Sequence, residues 1–195
     1  MLNVLPWFYR LQEEDEQDLY GELRKAAENC EEVIGAEAAQ CPGLEGMGTT
    51  LTMAYIVWPA MYVVHVGDSR CYLYRDRTLQ QITLDHTVAQ ELVSQGALKP
   101  EEARDSQWHH VLTSALGRGA EELSTSVYKS LLQTGDTVLL CTDGLTESLA
   151  DSEISAILES AASEKAACQR LIDAANEAGG ADNITVIVAR YNREP

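Results

Sequence analysis

The sequence predicts an α+β fold: a central two-sheet antiparallel β-sandwich flanked by helices, in four layers ordered αββα. Three observations carry this. Between Thr49 and Thr83 lie short runs rich in Val, Ile, Tyr and Thr, joined by connections too short for parallel crossovers. Within them, Tyr62-Val63-Val64 is apolar on both faces, as in a strand covered by a sheet on one side and helices on the other. Helical spacing of apolar residues recurs on both sides of this block, before residue 40 and after residue 150. Helices among strands also raise a doubly wound parallel sheet as the alternative; the short connections count against it.

Taken in order, Asp15 to Ala39 is predicted to be a helix. Leu19, Leu23, Ala26, Ala27, Cys30, Val33 and Ile34 recur at spacings of three and four. The cluster Glu13-Glu14-Asp15-Glu16 suits the positive end of the helix dipole, and its spacing favours that role over metal binding. Cys41-Pro42-Gly43 breaks the helix. Thr49 to Val57, Met61 to Val66, Arg70 to Tyr74 and Leu79 to Thr83 are expected to form an antiparallel meander, punctuated by Pro59. Thr87 to Gln95 reads as a short helix, with Thr87 and Gln90 as a capping box and Gly96 as its stop. Pro100 to Arg118 is less regular and holds His109, His110, Thr113, Ser114 and Gly117. A turn at Gln133-Thr134-Gly135-Asp136 leads into a strand from Thr137 to Thr142. Helices follow from Asp151 to Leu158 and from Glu164 to Ala178, the second ended by Gly179-Gly180 before a last strand from Asn183 to Arg190. With no internal repeat and no linker, residues 1–195 read as one domain.

Composition narrows the function. The chain carries 14 Lys and Arg against 31 Asp and Glu, a formal charge of −17. Nucleic acid and anionic membrane surfaces are therefore poor partners, while a basic protein or plain solubility suits the charge. The five cysteines are odd in number and form no Cys-x-x-Cys pair, which argues against a disulfide framework and a zinc site and fits a reducing compartment. Cys71 and Cys141 lie in apolar strands and read as small buried hydrophobes. No apolar run is long enough to span a bilayer. The apolar start Met1-Leu2-Asn3-Val4-Leu5-Pro6-Trp7-Phe8 lacks a basic leader and is followed by acidic residues, so a cytoplasmic location is expected.

Three aspartates stand at the edges of apolar strands. Asp68 follows Val63-Val64-His65-Val66-Gly67, Asp143 follows Val138-Leu139-Leu140-Cys141-Thr142, and Asp182 precedes Asn183 and Ile184-Thr185-Val186-Ile187-Val188. A single Asp beside Gly is commonly a turn residue. Three on rigid strand ends, far apart in sequence, can converge. Gathered carboxylates repel one another and so hold hard cations such as Mg²⁺ or Mn²⁺. That chemistry points to metal-assisted hydrolysis, with phosphate esters as the leading substrates.

The segments flanking these residues occur in a telling order: Met47-Gly48-Thr49-Thr50, Val66-Gly67-Asp68-Ser69-Arg70, Thr83-Leu84-Asp85-His86, Leu112-Thr113-Ser114-Ala115-Leu116-Gly117, Cys141-Thr142-Asp143-Gly144-Leu145 and Asp182-Asn183-Ile184-Thr185. From Leu44 to Arg190 the chain resembles the metal-dependent 2C-type (PPM) serine/threonine protein phosphatases of the bacterial kind. The resemblance implies a β-sandwich with helices on both outer faces and a binuclear Mn²⁺/Mg²⁺ centre at one end, with a third, weaker ion. It implies phosphorylated proteins as substrates, attacked at phosphorus by water held on the metals, with no phosphoenzyme. By position in the motifs, Asp143 and Asp182 match metal ligands and Asp68 the aspartate of the weaker ion. Asn183 would orient Asp182 by hydrogen bonding, and Gly144 would let the backbone come close to the ligands. The segment from Thr87 to Leu116 corresponds to the flap over the substrate, from which His109 and His110 could face it. His65 is expected to be a satisfied structural residue and His86 a local hydrogen-bonding one.

One departure stands out. The family's Arg-x-x-Asn-Glu-Asp and Asp-Gly-x-Gly-Gly segments, which bring the phosphate-binding arginine and the metal-bridging aspartate, do not occur in this sequence. Arg10 and the Glu13 cluster reproduce neither. The expectation is thus an N-terminally truncated phosphatase domain with little activity as a separate chain, either a fragment or a gene start placed at an internal methionine. The alternatives are a catalytically inactive pseudophosphatase that binds a phosphoprotein or a partner, and a metal-binding structural domain.

Overall fold

The computed structural model describes residues 16–119 and 123–192. Arg10 and the acidic residues Glu13, Glu14 and Asp15 fall outside them. The described chain opens with helix α1 (Glu16–Gln40), followed by strands β1 (Leu51–Val57), β2 (Ala60–Val66), β3 (Arg70–Arg75) and β4 (Thr78–Gln81). Short helices α2 (Val88–Ser94) and α3 (Pro100–Ala103) precede β5 (Ser126–Leu131) and β6 (Thr137–Cys141). Helices α4 (Asp143–Ser148), α5 (Asp151–Ser160) and α6 (Glu164–Glu177) lead to β7 (Val186–Arg190).

Two antiparallel sheets result, one ordered β1-β2-β5 and the other β4-β3-β6-β7. The predicted four-layer sandwich is thus present, with one correction. The expected meander is not continuous, because β2 and β3 lie in different sheets and the chain crosses between them at Gly67-Asp68-Ser69. The strand β5 was not anticipated: Ser126, Lys129 and Ser130 interrupt the apolar pattern, and its pairing with β2 from His65↔Ser126 to Ala60↔Leu131 is a long-range choice. Nor was α4 foreseen. Asp143 stands at the start of a helix rather than in a tight turn, and β7 begins three residues later than Asn183.

Each layer has its own apolar seam. Leu19, Leu23 and Ala27 of α1 pack on Tyr62 and Val64, the outward residues of β2. Met61 and Val63, facing the other way, meet Cys71, Leu73 and Val138 between the sheets. Tyr72 and Leu139 turn outward from the second sheet against Leu145, Ile154, Leu158 and Leu171 of α4–α6. The strand β2 is thus buried on both faces, as its sequence predicts. Each fully buried Leu contributes about 2 kcal/mol, so α1 is held mainly by this seam. The helix starts are local: Thr87 Oγ1 accepts from the Gln90 N–H, and Ser163 Oγ accepts from the Ala166 N–H.

At the end of β3 remote from the sheet crossing, one ion pair joins both sheets. Arg75 Nε donates to Asp136 Oδ1 at 2.8 Å and its Nη2 donates to Asp136 Oδ2 at 2.6 Å and to the Leu131 carbonyl of β5 at 2.7 Å. The Gln133 N–H adds a bond to Oδ2 at 2.7 Å. Burial alone would raise the Asp136 carboxyl, but these donors and the Arg75 charge outweigh it and hold the carboxyl below its ordinary range. A lowered carboxylate stabilises the fold above its unfolded value of 3.8, and that contribution is lost as pH falls below this through the folded value. Asp136→Asn leaves Arg75 without its partner and is expected to cost about 3 kcal/mol at pH 7. Urea unfolding should show the gap between wild type and variant closing as the solution is acidified below pH 3.8.

Candidate metal-binding cleft

The crossing between sheets builds the first wall of the site. Gly67 takes a left-handed φ of +104°, and a Cβ there would fall 2.3 Å from Thr50 Cγ2. Thr50 Oγ1 and Ser69 Oγ are 2.8 Å apart, and Thr52 Oγ1 donates to the Ser69 carbonyl at 2.7 Å. These contacts fix Asp68 at the rim. Its carboxyl is pushed up to about 6, first by burial, then by the charges of Asp143 and Asp85. Proton uptake is how a carboxyl answers repulsion that no cation relieves.

Arg70 relieves it only in part. The guanidinium is committed to Asp85, with Nε–Oδ1 at 2.9 Å and Nη2–Oδ2 at 2.7 Å, and its Nη1 donates to Tyr72 Oη at 3.0 Å. Tyr72 in turn donates to Asp151 Oδ1 at 3.3 Å. The pair clamps the segment after β4 onto β3 and leaves Asp68 facing Asp143.

The second wall comes from the β6–α4 junction. The Thr142 N–H donates to the Thr185 carbonyl at 3.1 Å, and Thr142 Oγ1 accepts from the Thr185 N–H at 3.0 Å. Gly144 permits a close approach: a Cβ there would lie 2.5 Å from the Asn183 carbonyl oxygen. Glycine is needed at this point for space rather than for a left-handed backbone. The approach is to the Asp182–Asn183 backbone, which ties the segments bearing Asp143 and Asp182 side by side. Asp143 Oδ1 accepts from the Gly144 N–H at 2.9 Å, and Asp182 Oδ1 accepts from the Asn183 N–H at 2.6 Å. Asn183 thus bonds Asp182 through its backbone.

Between the walls lies a cleft of about 610 Å³ lined by Asp68, Asp143, Asp85, Glu147 and Asp151, with Arg70, Arg104 and His109 on its sides. Of the three predicted ligands, Asp68 and Asp143 share this cleft. Asp182 borders an adjoining depression with Asn183, and Gly180 and Ala181 line both. The donors are hard carboxylate oxygens, and the acidic side chains outnumber the arginines, one of which is already paired. Such a set fits a divalent cation of the Mg²⁺ or Mn²⁺ type.

The four histidines divide as expected for two of them. His65 is fully buried, its Nε2 3.0 Å from the Leu84 carbonyl and its Nδ1 2.9 Å from Thr52 Oγ1. His86 Nδ1 accepts from the Gly67 N–H at 3.2 Å, which places the neutral ring's proton on Nε2, 3.0 Å from Ser126 Oγ. These two support the Asp68 corner from behind. His109 and His110 lie beside the cleft with their ring centroids 3.5 Å apart, and His110 Nδ1 lies 2.7 Å from Glu147 Oε1.

The model of the family "Protein phosphatase 2C" matches residues 4–183. The chain belongs to that family. The match includes α1, and so reaches further toward the N-terminus than the resemblance from Leu44 onward. The chain is 39% identical over 172 residues to the serine/threonine protein phosphatase PstP of Mycobacterium tuberculosis strain H37Rv, covering 88% of this chain and 33% of that protein. It is 39% identical over 171 residues to the serine/threonine phosphatase stp of Listeria welshimeri, covering 87% of this chain and 67% of the relative. The chain therefore spans about a third of the first relative's length and two thirds of the second's. A crystal structure of the M. tuberculosis PstP/Ppp phosphatase superposes with a TM-score of 0.83 at 36% identity, over 95% of this chain and 79% of that one. The PstP catalytic domain in complex with two manganese ions superposes at 0.78 with 37% identity, over 93% of this chain and 75% of that one.

Several cleft residues escaped the sequence reading as site residues. Asp85 and Arg70 were visible only as parts of their segments, with no sign that they would pair. Glu147 gave no signal, because α4 was not foreseen and its one-turn spacing from Asp143 could not be used, and Asp151 read only as the first residue of a helix. Glu31 is another. It is buried on α1 and accepts from the Gly117 and Gly119 N–H groups, the latter at 2.7 Å, anchoring the end of the flap. A buried Glu on a predicted helix has no pattern that distinguishes it from its solvated neighbours.

Gly144→Ala tests the junction. The added methyl must push the Asn183 carbonyl away, at an expected cost of about 1–3 kcal/mol in unfolding free energy. Spreading the Asp143 and Asp182 segments should also weaken Mn²⁺ binding by about tenfold. Thermal unfolding and calorimetric Mn²⁺ titration read the two effects separately.

Proposed function

We propose that residues 1–195 belong to one phosphatase domain whose complete form, with the arginine and bridging-aspartate segments that do not occur in this sequence, hydrolyses phosphoserine and phosphothreonine in proteins with Mn²⁺ or Mg²⁺, acting in the cytoplasm against a serine/threonine kinase. The observation that carries this reading is the carboxylate pair Asp68 and Asp143 in one cleft, with the Asp182 segment fastened beside Asp143 through Gly144. Family membership and the similarity to named bacterial serine/threonine phosphatases support it. Among the described residues no helix is long and apolar enough to cross a membrane.

In this reading Asp143 and Asp182 hold the tighter ions and Asp68 the weaker one. The Asn183 N–H fixes the Asp182 carboxylate, and the Gly144 N–H that of Asp143. Bound ions supply Lewis acidity toward the phosphate and generate a nucleophile from water at neutral pH. The protein's own part is positional and electrostatic. With Asp68, Asp85, Asp143, Glu147 and Asp151 around it, the bare cleft repels a phosphate dianion. Cations thus reverse the field that substrate meets, and both binding and turnover depend on them.

The natural gene product should hydrolyse a phosphothreonine peptide with Mn²⁺ and lose at least about a thousandfold of the rate in EDTA. Asp143→Asn and Asp182→Asn should each weaken Mn²⁺ binding and turnover together. In Asp68→Ala, turnover should fall while the tight Mn²⁺ binding remains. Activity that survives EDTA overturns the metal assignment. Mn²⁺ and phosphopeptide binding without turnover would establish the pseudophosphatase instead.

A further inference from the structure

The mouth of the cleft carries a second, chemically different donor set. One ring nitrogen each of His109 and His110 and one carboxylate oxygen of Glu147 all lie within 4.8 Å of one another. They come from two elements. The histidines sit on the loop after α3, and Glu147 sits on α4, one turn beyond Asp143.

Both sides are held. The Ser106 carbonyl accepts from the His109 N–H at 3.1 Å and from His109 Nδ1 at 2.5 Å. The second bond puts the proton of the neutral ring on Nδ1 and leaves the lone pair on Nε2. A backbone carbonyl that takes one imidazole N–H is how metal-binding histidines are commonly oriented. The loop is fastened by the Val88 N–H donating to the Val111 carbonyl at 2.9 Å. On the other element, Arg104 Nη2 donates to the Glu147 carbonyl at 2.9 Å, joining α4 to the segment that leads into the histidines. Glu147 Oε1 already lies 2.7 Å from His110 Nδ1.

We propose that His109, His110 and Glu147 form a binding site for a borderline dication such as Zn²⁺, separate from the carboxylate pair Asp68 and Asp143. Two imidazoles and one carboxylate are a three-ligand set for Zn²⁺ that leaves a fourth position for water. Imidazole selects such ions over Mg²⁺, which prefers oxygen and keeps its own water. An ion here would join the flap loop to α4 across the cleft mouth. The assignment rests on these residues alone and does not depend on the phosphatase reading.

The test is a calorimetric Zn²⁺ titration of the natural gene product with the carboxylate sites saturated by Mg²⁺. One Zn²⁺ binding event is expected. The H109Q/H110Q double variant should abolish it, and Glu147→Gln should weaken it by at least about tenfold. Asp143→Asn and Asp68→Asn should leave it intact. Co²⁺ gives a second readout: the intense visible absorption of a four-coordinate ion should appear in wild type and be lost in H109Q/H110Q. Absence of the Zn²⁺ event would reduce the cluster to an ion pair between His110 and Glu147. Zn²⁺ binding that persists in H109Q/H110Q, or that disappears in Asp143→Asn, would place the ion on the cysteines or the carboxylates. Each of these outcomes overturns the proposal, and none of them bears on phosphate hydrolysis.

Discussion

Repulsion between carboxylates at the sheet crossing is the constraint around which the structure is arranged. Asp68 and Asp143 share a cleft with Asp85, Glu147 and Asp151, and the Asp68 carboxyl is raised to about 6 by burial and by its acidic neighbours. Nothing about such a cluster holds itself together. Unit charges a few ångströms apart near a protein surface repel by several kcal/mol, so the backbone carrying them must be fastened by other means. Arg70 could have neutralised the cluster directly. It is paired with Asp85 instead, which makes it a clamp for the fold and leaves the remaining carboxylates for a cation.

The fastening is done by small residues and by the backbone. Gly67 admits the Thr50 side chain where a Cβ would collide, and Gly144 admits the Asn183 carbonyl. Thr142 and Thr185 exchange bonds that lock the start of α4 to the segment after Asp182. None of these contacts involves a carboxylate oxygen needed for a cation. The residues that bear charge and the residues that bear the geometry are therefore adjacent in sequence but separate in role. An amide substitution therefore removes charge and leaves the fastening in place, whereas a glycine substitution moves the ligands and leaves their charge.

Legibility of the sequence followed the range of the interactions. The helix α1, the strand β2, the Thr87 cap of α2 and the Gly179-Gly180 stop after α6 could be read because spacing and capping are local. The three aspartates could be read because a turn residue beside a strand marks a sheet edge, and the order of the flanking segments then narrowed the family. What escaped depended on contacts distant in sequence. The strand β5 is defined by its pairing with β2 across 60 residues, and Glu31 acts on Gly117, 86 positions away. The split of the meander into two sheets turned on a φ of +104° at Gly67, which a Gly-Asp pair permits but does not require. Asp182 was placed on the same footing as the other two aspartates, yet it borders the neighbouring depression, because it precedes its strand whereas the others follow theirs.

The charge of the whole chain and the chemistry of the cleft belong together. A protein with a formal charge of −17 repels phosphorylated proteins at long range, and an acidic cleft repels the phosphate at short range. Salt screens the first beyond about 8–10 Å, but not the second, because the carboxylates lie in a partly enclosed cleft. Only a charge within the cleft can reverse that local field. Arg70 is spent on Asp85 and Tyr72, and Arg104, which keeps its charge while donating to the Glu147 carbonyl, is outnumbered by the carboxylates that line the cleft. Under the proposed function the balance of positive charge comes from solution as a cation, and affinity for phosphate becomes a property of the loaded site rather than of the protein alone.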